Sequence, residues 1–204
     1  MAKQMSAAAQ ERLQQIVEAA VEIINEDGYS GLSLQAVANR VGITQPGVIH
    51  YVGSKKGLLN EVIEYYYDCH DDAVDYLKLF EPGQMFEGQR PKVPECCRLI
   101  VEQNASRREL VMLFQVLNTE AMSPKSPAHD YFAKRSKNVS EPEMKHNWAV
   151  PEGVDGQLTY SCAMAAMYGL EGRWLARPDE IDYVAEWAKW EDVLFPLPLW
   201  EGYR

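Results

Sequence analysis

Apolar residues recur at intervals of three and four along most of the chain, which is the spacing of amphipathic α-helices. The first run lies within residues 8–26 and stops before Gly28, a residue type that commonly ends helices. Two short runs follow at 34–41 and 44–51, and a long one covers 54–79. No stretch alternates apolar and polar residues over the length of a β-strand. The pattern predicts an all-α protein with about nine helices.

Proline and glycine limit the later helices. Residues 81–94 contain three prolines and two glycines, which predicts a loop with at most a short helical turn. We expect the remaining helices over these ranges: 94–104, 107–122, 127–139, 155–176 and 179–195.

Hydroxyl residues precede three of the predicted helices. Ser33, Thr44 and Ser54 can each accept a hydrogen bond from amides of the following first turn. Gly42 supplies the turn between the second and third helices. Three short helices arranged in this way predict a helix-turn-helix, whose third helix enters the DNA major groove.

The third helix carries side chains suited to duplex DNA. Gln45 can present a bidentate amide to adenine, and Gly47 lets the backbone approach closely. His50, Tyr51 and Lys55 are hydrogen-bond donors suited to phosphate. The start of the fourth helix is expected to add free amides at Ser54 and Lys55.

Charge is distributed unevenly. The chain has 20 basic and 30 acidic side chains, a net charge of −10, which argues against nonspecific affinity for nucleic acid. However, no acidic residue occurs from Gly28 to Asn60, a segment that contains Arg40, Lys55 and Lys56. This acid-free segment predicts a surface that faces an anion.

The segment from Arg12 to Leu59 resembles the N-terminal domain of TetR-type transcriptional regulators. The matching positions are Ala19, Ala20, Gly28, Leu34, Val37, Ala38, Gly42, Ile43, Thr44, His50, Tyr51, Ser54, Lys55, Leu58 and Leu59. The resemblance implies a DNA-binding domain over residues 1–53 and a helical ligand-binding and dimerisation domain over residues 54–204. It also implies a homodimer that binds a palindromic double-stranded DNA operator and is released by a small-molecule effector.

The resemblance also assigns roles to individual residues of the helix-turn-helix. Positions that contact phosphate in the family are Ser33, Thr44, His50, Tyr51 and Lys55, and positions that contact bases are Gln45, Pro46 and Gly47. Two residues depart from the family pattern, which usually has Tyr at Ile49 and Phe at Val52. Loss of that Tyr removes one expected contact and predicts an unusual affinity or operator preference.

Residues of the remaining chain supply candidates for a pocket and for a dimer interface. Flexible and aromatic side chains suit an apolar ligand as well as any core. The candidate pocket residues are Tyr66, Cys69, His70, Phe114, Leu117, Met164 and Met167. Apolar surface on the last two helices exceeds what one core face needs, and the candidate interface residues are Tyr168, Trp174, Leu175, Val184, Trp187, Trp190 and Leu194.

Other classes of function receive less support from the sequence. An enzyme built on Cys162 or His70 with a carboxylate would need a catalytic motif, and none is present. A transcriptional activator or a ligand-independent regulator of the same fold stays open. Scattered His and Cys residues lack metal-ligand spacing, so we expect no metal and no cofactor. We expect no membrane segment, a cytoplasmic location and reduced thiols.

Overall fold

The computed structural model describes residues 6–65, 76–126, 128–137 and 145–204. Within these ranges the chain is all-α and contains no β-strand, as the sequence predicts. The helices are α1 (Ala7–Gly31), α2 (Leu34–Val41), α3 (Gln45–Val52), α4 (Lys55–Ile63), α5 (Val93–Ala105), α6 (Arg108–Glu120), α7 (His129–Arg135), α8 (Gly156–Ala176) and α9 (Tyr183–Leu194). A 3₁₀-helix covers Tyr76–Phe80.

The chain divides into two compact units. The first unit contains Met1–Asp71 and Met112–Phe132, and the second contains Asp72–Val111 and Ala133–Arg204. Helix α6 therefore begins in the second unit and continues in the first.

The core of the first unit is built from the apolar faces that the periodicity predicts. Ile16, Ala20 and Ile24 of α1 are completely buried, and so is Val37 of α2. Helix α1 is interrupted at Gly28, whose φ of 70° lies in the left-handed region that favours glycine. The predicted end of the first helical run is thus confirmed.

Two helix boundaries differ from the prediction. In the range predicted as one helix, 54–79, α4 ends at Ile63. Residues 66–75 of that range lie outside the described part of the chain, and Tyr76–Phe80 forms a 3₁₀-helix rather than an α-helix. The last helix begins at Tyr183 rather than Asp179, because the Asp182 side chain accepts a hydrogen bond from the Ala185 amide at 3.0 Å and caps it there.

The second unit holds two buried carboxylates. Glu171 on α8, 1% exposed, accepts hydrogen bonds from Asn104 Nδ2 at 2.8 Å and from the Tyr183 hydroxyl at 3.2 Å. Glu191 on α9, 3% exposed, pairs with Arg98 of α5. These contacts join α5, α8 and α9, and they satisfy groups that would be costly to bury alone.

Candidate nucleic-acid interface

Three hydroxyl side chains begin the helices of the candidate interface. Ser33 accepts a hydrogen bond from the Ala36 amide at 3.0 Å, Thr44 from the Gly47 amide at 3.2 Å, and Ser54 from the Gly57 amide at 3.1 Å. The three predicted N-caps are therefore confirmed. Each hydroxyl accepts from an amide and keeps its own hydrogen, which can be donated to a phosphate oxygen.

Glycines set the turns around α3. Gly42 and Gly53 follow α2 and α3 with φ values of 73° and 71°, where other residues are strained. At Gly57 a Cβ atom would lie 1.8 Å from the Val52 carbonyl oxygen, so α4 starts in close contact with the end of α3. These backbone constraints fix the direction of α3.

Helix α3 buries one side and exposes the other. Val48 and Val52 are 0% and 7% exposed and anchor the helix in the first unit. Its other residues form the accessible side: Pro46, Ile49 and His50 are exposed, and Gln45, Gly47 and Tyr51 are half-buried. The side chains predicted to contact bases thus lie on the accessible part of a short anchored helix.

Arg40 does not contribute a free cation to this surface. Its guanidinium bonds to Glu26 at 2.6 Å and to Glu22 at 3.4 Å, both on α1. The hydrogen bond that Arg40 donates to Glu26 raises the pKa of Arg40, and the same bond lowers the pKa of Glu26. The segment is therefore free of acidic residues along the sequence, but in the folded chain two carboxylates of α1 lie against its Arg40.

The other two basic side chains of the acid-free segment lie at the start of α4. Lys55 and Lys56 occupy its first two positions and are half-buried. The Ser54 amide donates a hydrogen bond to the Val52 carbonyl oxygen at 2.8 Å, so the prediction that this amide is free is wrong. The lysines and the N-terminal end of the helix dipole both favour a bound anion.

The candidate pocket residues that the structure describes are mostly interior. Phe114 and Leu117 on α6 are each 2% exposed in the first unit, where Phe114 packs edge-on against Phe132. Met167 on α8 is completely buried in the second unit, and Met164 is half-buried. Tyr66, Cys69 and His70 lie outside the described residues.

The candidate interface residues separate into an interior and a surface group. Trp174 stacks on Tyr183 at 4.7 Å between ring centroids, and Trp187 is 1% exposed, so both belong to the core of their own unit. Tyr168 and Val184 are about 40% exposed. The half-buried members are Leu175, Trp190 and Leu194.

Comparison with known proteins places the helix-turn-helix in a family. Residues 16–62 match the family model described as "Bacterial regulatory proteins, tetR family". The chain carries a TetR-family regulatory domain. The matched residues include α2, α3 and most of α4, so the TetR-family domain contains the whole candidate interface from Ser33 to Lys55.

Relatives and solved structures agree with this assignment. Over 90 residues the chain is 29% identical to the HTH-type transcriptional regulator BetI of Stenotrophomonas maltophilia, a match that covers 38% of this chain and 46% of that protein. The chain therefore spans less than half of that relative. The chain also shares the TetR-type fold: it superposes on FadR of Bacillus subtilis in complex with stearoyl-CoA (TM-score 0.58, 17% identity, 89% and 96% coverage). It also superposes on FadR of Thermus thermophilus in complex with lauroyl-CoA with a TM-score of 0.55 and 15% sequence identity. That match covers 89% of this chain and 92% of the Thermus chain.

The described residues lack two kinds of feature. None of their helices is both long enough and apolar enough to cross a membrane. In the same part of the chain, no three His, Cys, Asp or Glu side chains are grouped so as to hold a metal ion.

Proposed function

We propose that this protein is a ligand-responsive transcriptional repressor that binds a palindromic operator as a homodimer. Residues 1–53 are its DNA-binding domain and 54–204 its ligand-binding and dimerisation domain. The observation that carries the proposal is α3: a capped helix of a TetR-family domain, anchored by Val48 and Val52, whose accessible side bears no carboxylate. Chromosomal DNA as the partner implies action in the cytoplasm.

The roles within the interface are those that the resemblance to TetR-type regulators implies, and the side-chain chemistry is compatible with them. Gln45 and the backbone at Pro46 and Gly47 contact base edges, where an amide pairs bidentately with adenine. Ser33, Thr44, His50, Tyr51 and Lys55 contact phosphates and hold α3 in register.

The proposal is tested by operator binding of matched variants. Purified full-length protein is titrated against the upstream region of its own gene in a gel-shift assay. Gln45→Ala is expected to weaken binding by about thirtyfold or more, since each copy of the homodimer loses one bidentate base contact that contributes about 1–3 kcal/mol. Gln84→Ala, the same change at an exposed turn of the second unit, is the control and is expected to bind like wild type. Equal binding by both variants would reject α3 as the reading helix.

Lys55 is tested by the salt dependence of binding. The logarithm of the binding constant falls as the logarithm of salt concentration rises, and each lost phosphate contact reduces the steepness of that fall by about 0.9. Lys55→Ala is expected to reduce that slope by about 2 for a homodimer, one contact per copy, and to weaken binding to all sequences alike. An unchanged slope would remove Lys55 from the phosphate contacts.

We propose that α8 and α9 carry the dimer interface. Residues of α8 that share one face at spacings of three and four are exposed and uncharged: Leu158, Ser161, Cys162, Ala165, Tyr168, Gly169 and Gly172. Val184 of α9 is also exposed, and Leu175, Trp190 and Leu194 are half-buried. An exposed helix face without charge favours burial against a second copy. Dimerisation would set two α3 helices roughly 34–36 Å apart, one turn of B-DNA.

The effector is proposed to be a small molecule with an apolar body. Support comes from the fold, because two FadR proteins that share it were solved with stearoyl-CoA and lauroyl-CoA. The wall residues named from the sequence stay a prediction; among them, the described residues show only that Phe114 and Leu117 are buried in the first unit and Met167 in the second. Native mass spectrometry of purified protein, followed by gel shifts with lauroyl-CoA added, tests this part. Absence of any bound molecule and no release of DNA would reject an acyl-CoA effector.

A further inference from the structure

Ile49 is an exposed aliphatic side chain on a helix that is otherwise suited to polar contacts. It is 39% exposed, whereas Val48 and Val52 occupy the buried side of α3. Ile49 and His50 follow Pro46 by three and four residues, so both lie beside Pro46 on the exposed side of the helix. Ile49 is therefore not needed to anchor α3, and its position beside Pro46 makes a small apolar area on the accessible side.

The chemistry of an isoleucine limits what it can recognise in a major groove. It has no donor or acceptor, so it cannot bond to phosphate or to a polar base edge. The C5-methyl group of thymine is the apolar feature that base pairs present in that groove, and apolar side chains read it by contact.

We infer that Ile49 reads the C5-methyl group of one thymine in each half-site and so helps to determine operator sequence. The inference rests on the proposed function, since it requires α3 to enter the major groove. It assigns a specificity role to a residue at which this chain departs from the Tyr usual in the family.

The experiment removes the methyl group from the DNA and the side chain from the protein. A duplex is first selected by the full-length wild-type protein from a random-sequence library. Each dT is then replaced singly by dU, which lacks only the C5-methyl group, and Kd is measured for wild type and Ile49→Ala. We expect wild type to lose about fourfold at one dT per half-site, the factor for burial of one methyl group. Ile49→Ala is expected to bind the dT and dU duplexes equally at that position.

Two further variants separate this role from a general effect on binding. His50→Ala is expected to weaken both duplexes alike and to keep the fourfold ratio between them, because its partner is phosphate. Ile49→Val is expected to retain part of the ratio. If a site is selected but no dU substitution distinguishes wild type from Ile49→Ala, the inference is overturned while the proposed function stands. If no duplex is selected at all, the proposed function fails and the inference fails with it.

Discussion

Gly172 on α8 gives a test of dimerisation in which the effects on the single chain and on the dimer have opposite signs. A Cβ atom built at Gly172 has no atom within 4 Å, so the single chain has room for a side chain there. A glycine inside a helix costs about 0.8–1 kcal/mol relative to a good helix former. Gly172→Leu is therefore expected to stabilise the folded single chain by roughly that amount.

The same substitution is expected to weaken the proposed dimer. Inserting a larger side chain into a packed surface costs about 1–3 kcal/mol, and a two-fold interface receives one from each copy. The total of about 2–6 kcal/mol corresponds to a dissociation constant raised at least about thirtyfold.

Sedimentation equilibrium measures the dissociation constant, and urea unfolding at a fixed, low protomer concentration measures the stability. Gln15→Leu on the exposed side of α1 is the control, because it adds the same side chain to a helix of the other unit. If Gly172→Leu associates as tightly as wild type and Gln15→Leu, this face of α8 is not the interface.

Three further substitutions and modifications have defined outcomes. Gly57→Ala is expected to lower the free energy of unfolding by about 1–3 kcal/mol and to weaken DNA binding, because the new Cβ would clash with the Val52 carbonyl oxygen; urea unfolding with unchanged stability would contradict this. Glu171→Ala is expected to lower the free energy of unfolding by about 2–6 kcal/mol, because the buried donors of Asn104 and Tyr183 lose their acceptor. Glu171→Gln keeps an acceptor oxygen and should recover most of that stability in the same urea unfolding assay. Burial raises the pKa of Cys97 to about 12, so at pH 8 iodoacetamide should leave Cys97 unmodified in the folded protein and should label the exposed Cys162. Labelling of Cys162 should be slower under conditions in which the protein is a dimer. Peptide mass spectrometry that finds Cys97 labelled before Cys162 would refute the burial of Cys97.

Local features of the interface were accessible from the sequence. A hydroxyl residue before an apolar run predicts an N-cap, and Ser33, Thr44 and Ser54 all make the expected bond. The spacing of apolar residues likewise predicted the buried face of α1, where Ile16, Ala20 and Ile24 are completely buried. These features depend on residues within about four positions of one another, so a linear pattern contains them.

Contacts between residues far apart in the chain could not be predicted from the sequence in this way. Arg40 is paired by acids 14 and 18 positions earlier on α1, which lie outside the acid-free segment from Gly28 to Asn60. The aromatic residues of the last two helices were predicted to form an interface, and only the packing of Trp174 on Tyr183 and the burial of Trp187 place these two side chains inside.

The sequence by itself determined the helical architecture, the caps and turns of the helix-turn-helix and the TetR-type character of its first 60 residues. Spacing, capping hydroxyls and glycines act over a single turn or loop, and they are written in consecutive residues. Tertiary structure alone decided which charges remain available at the interface and which aromatic residues are buried. Those properties are set by approach between helices, as when Glu171 accepts a hydrogen bond from Asn104, 67 residues earlier in the chain.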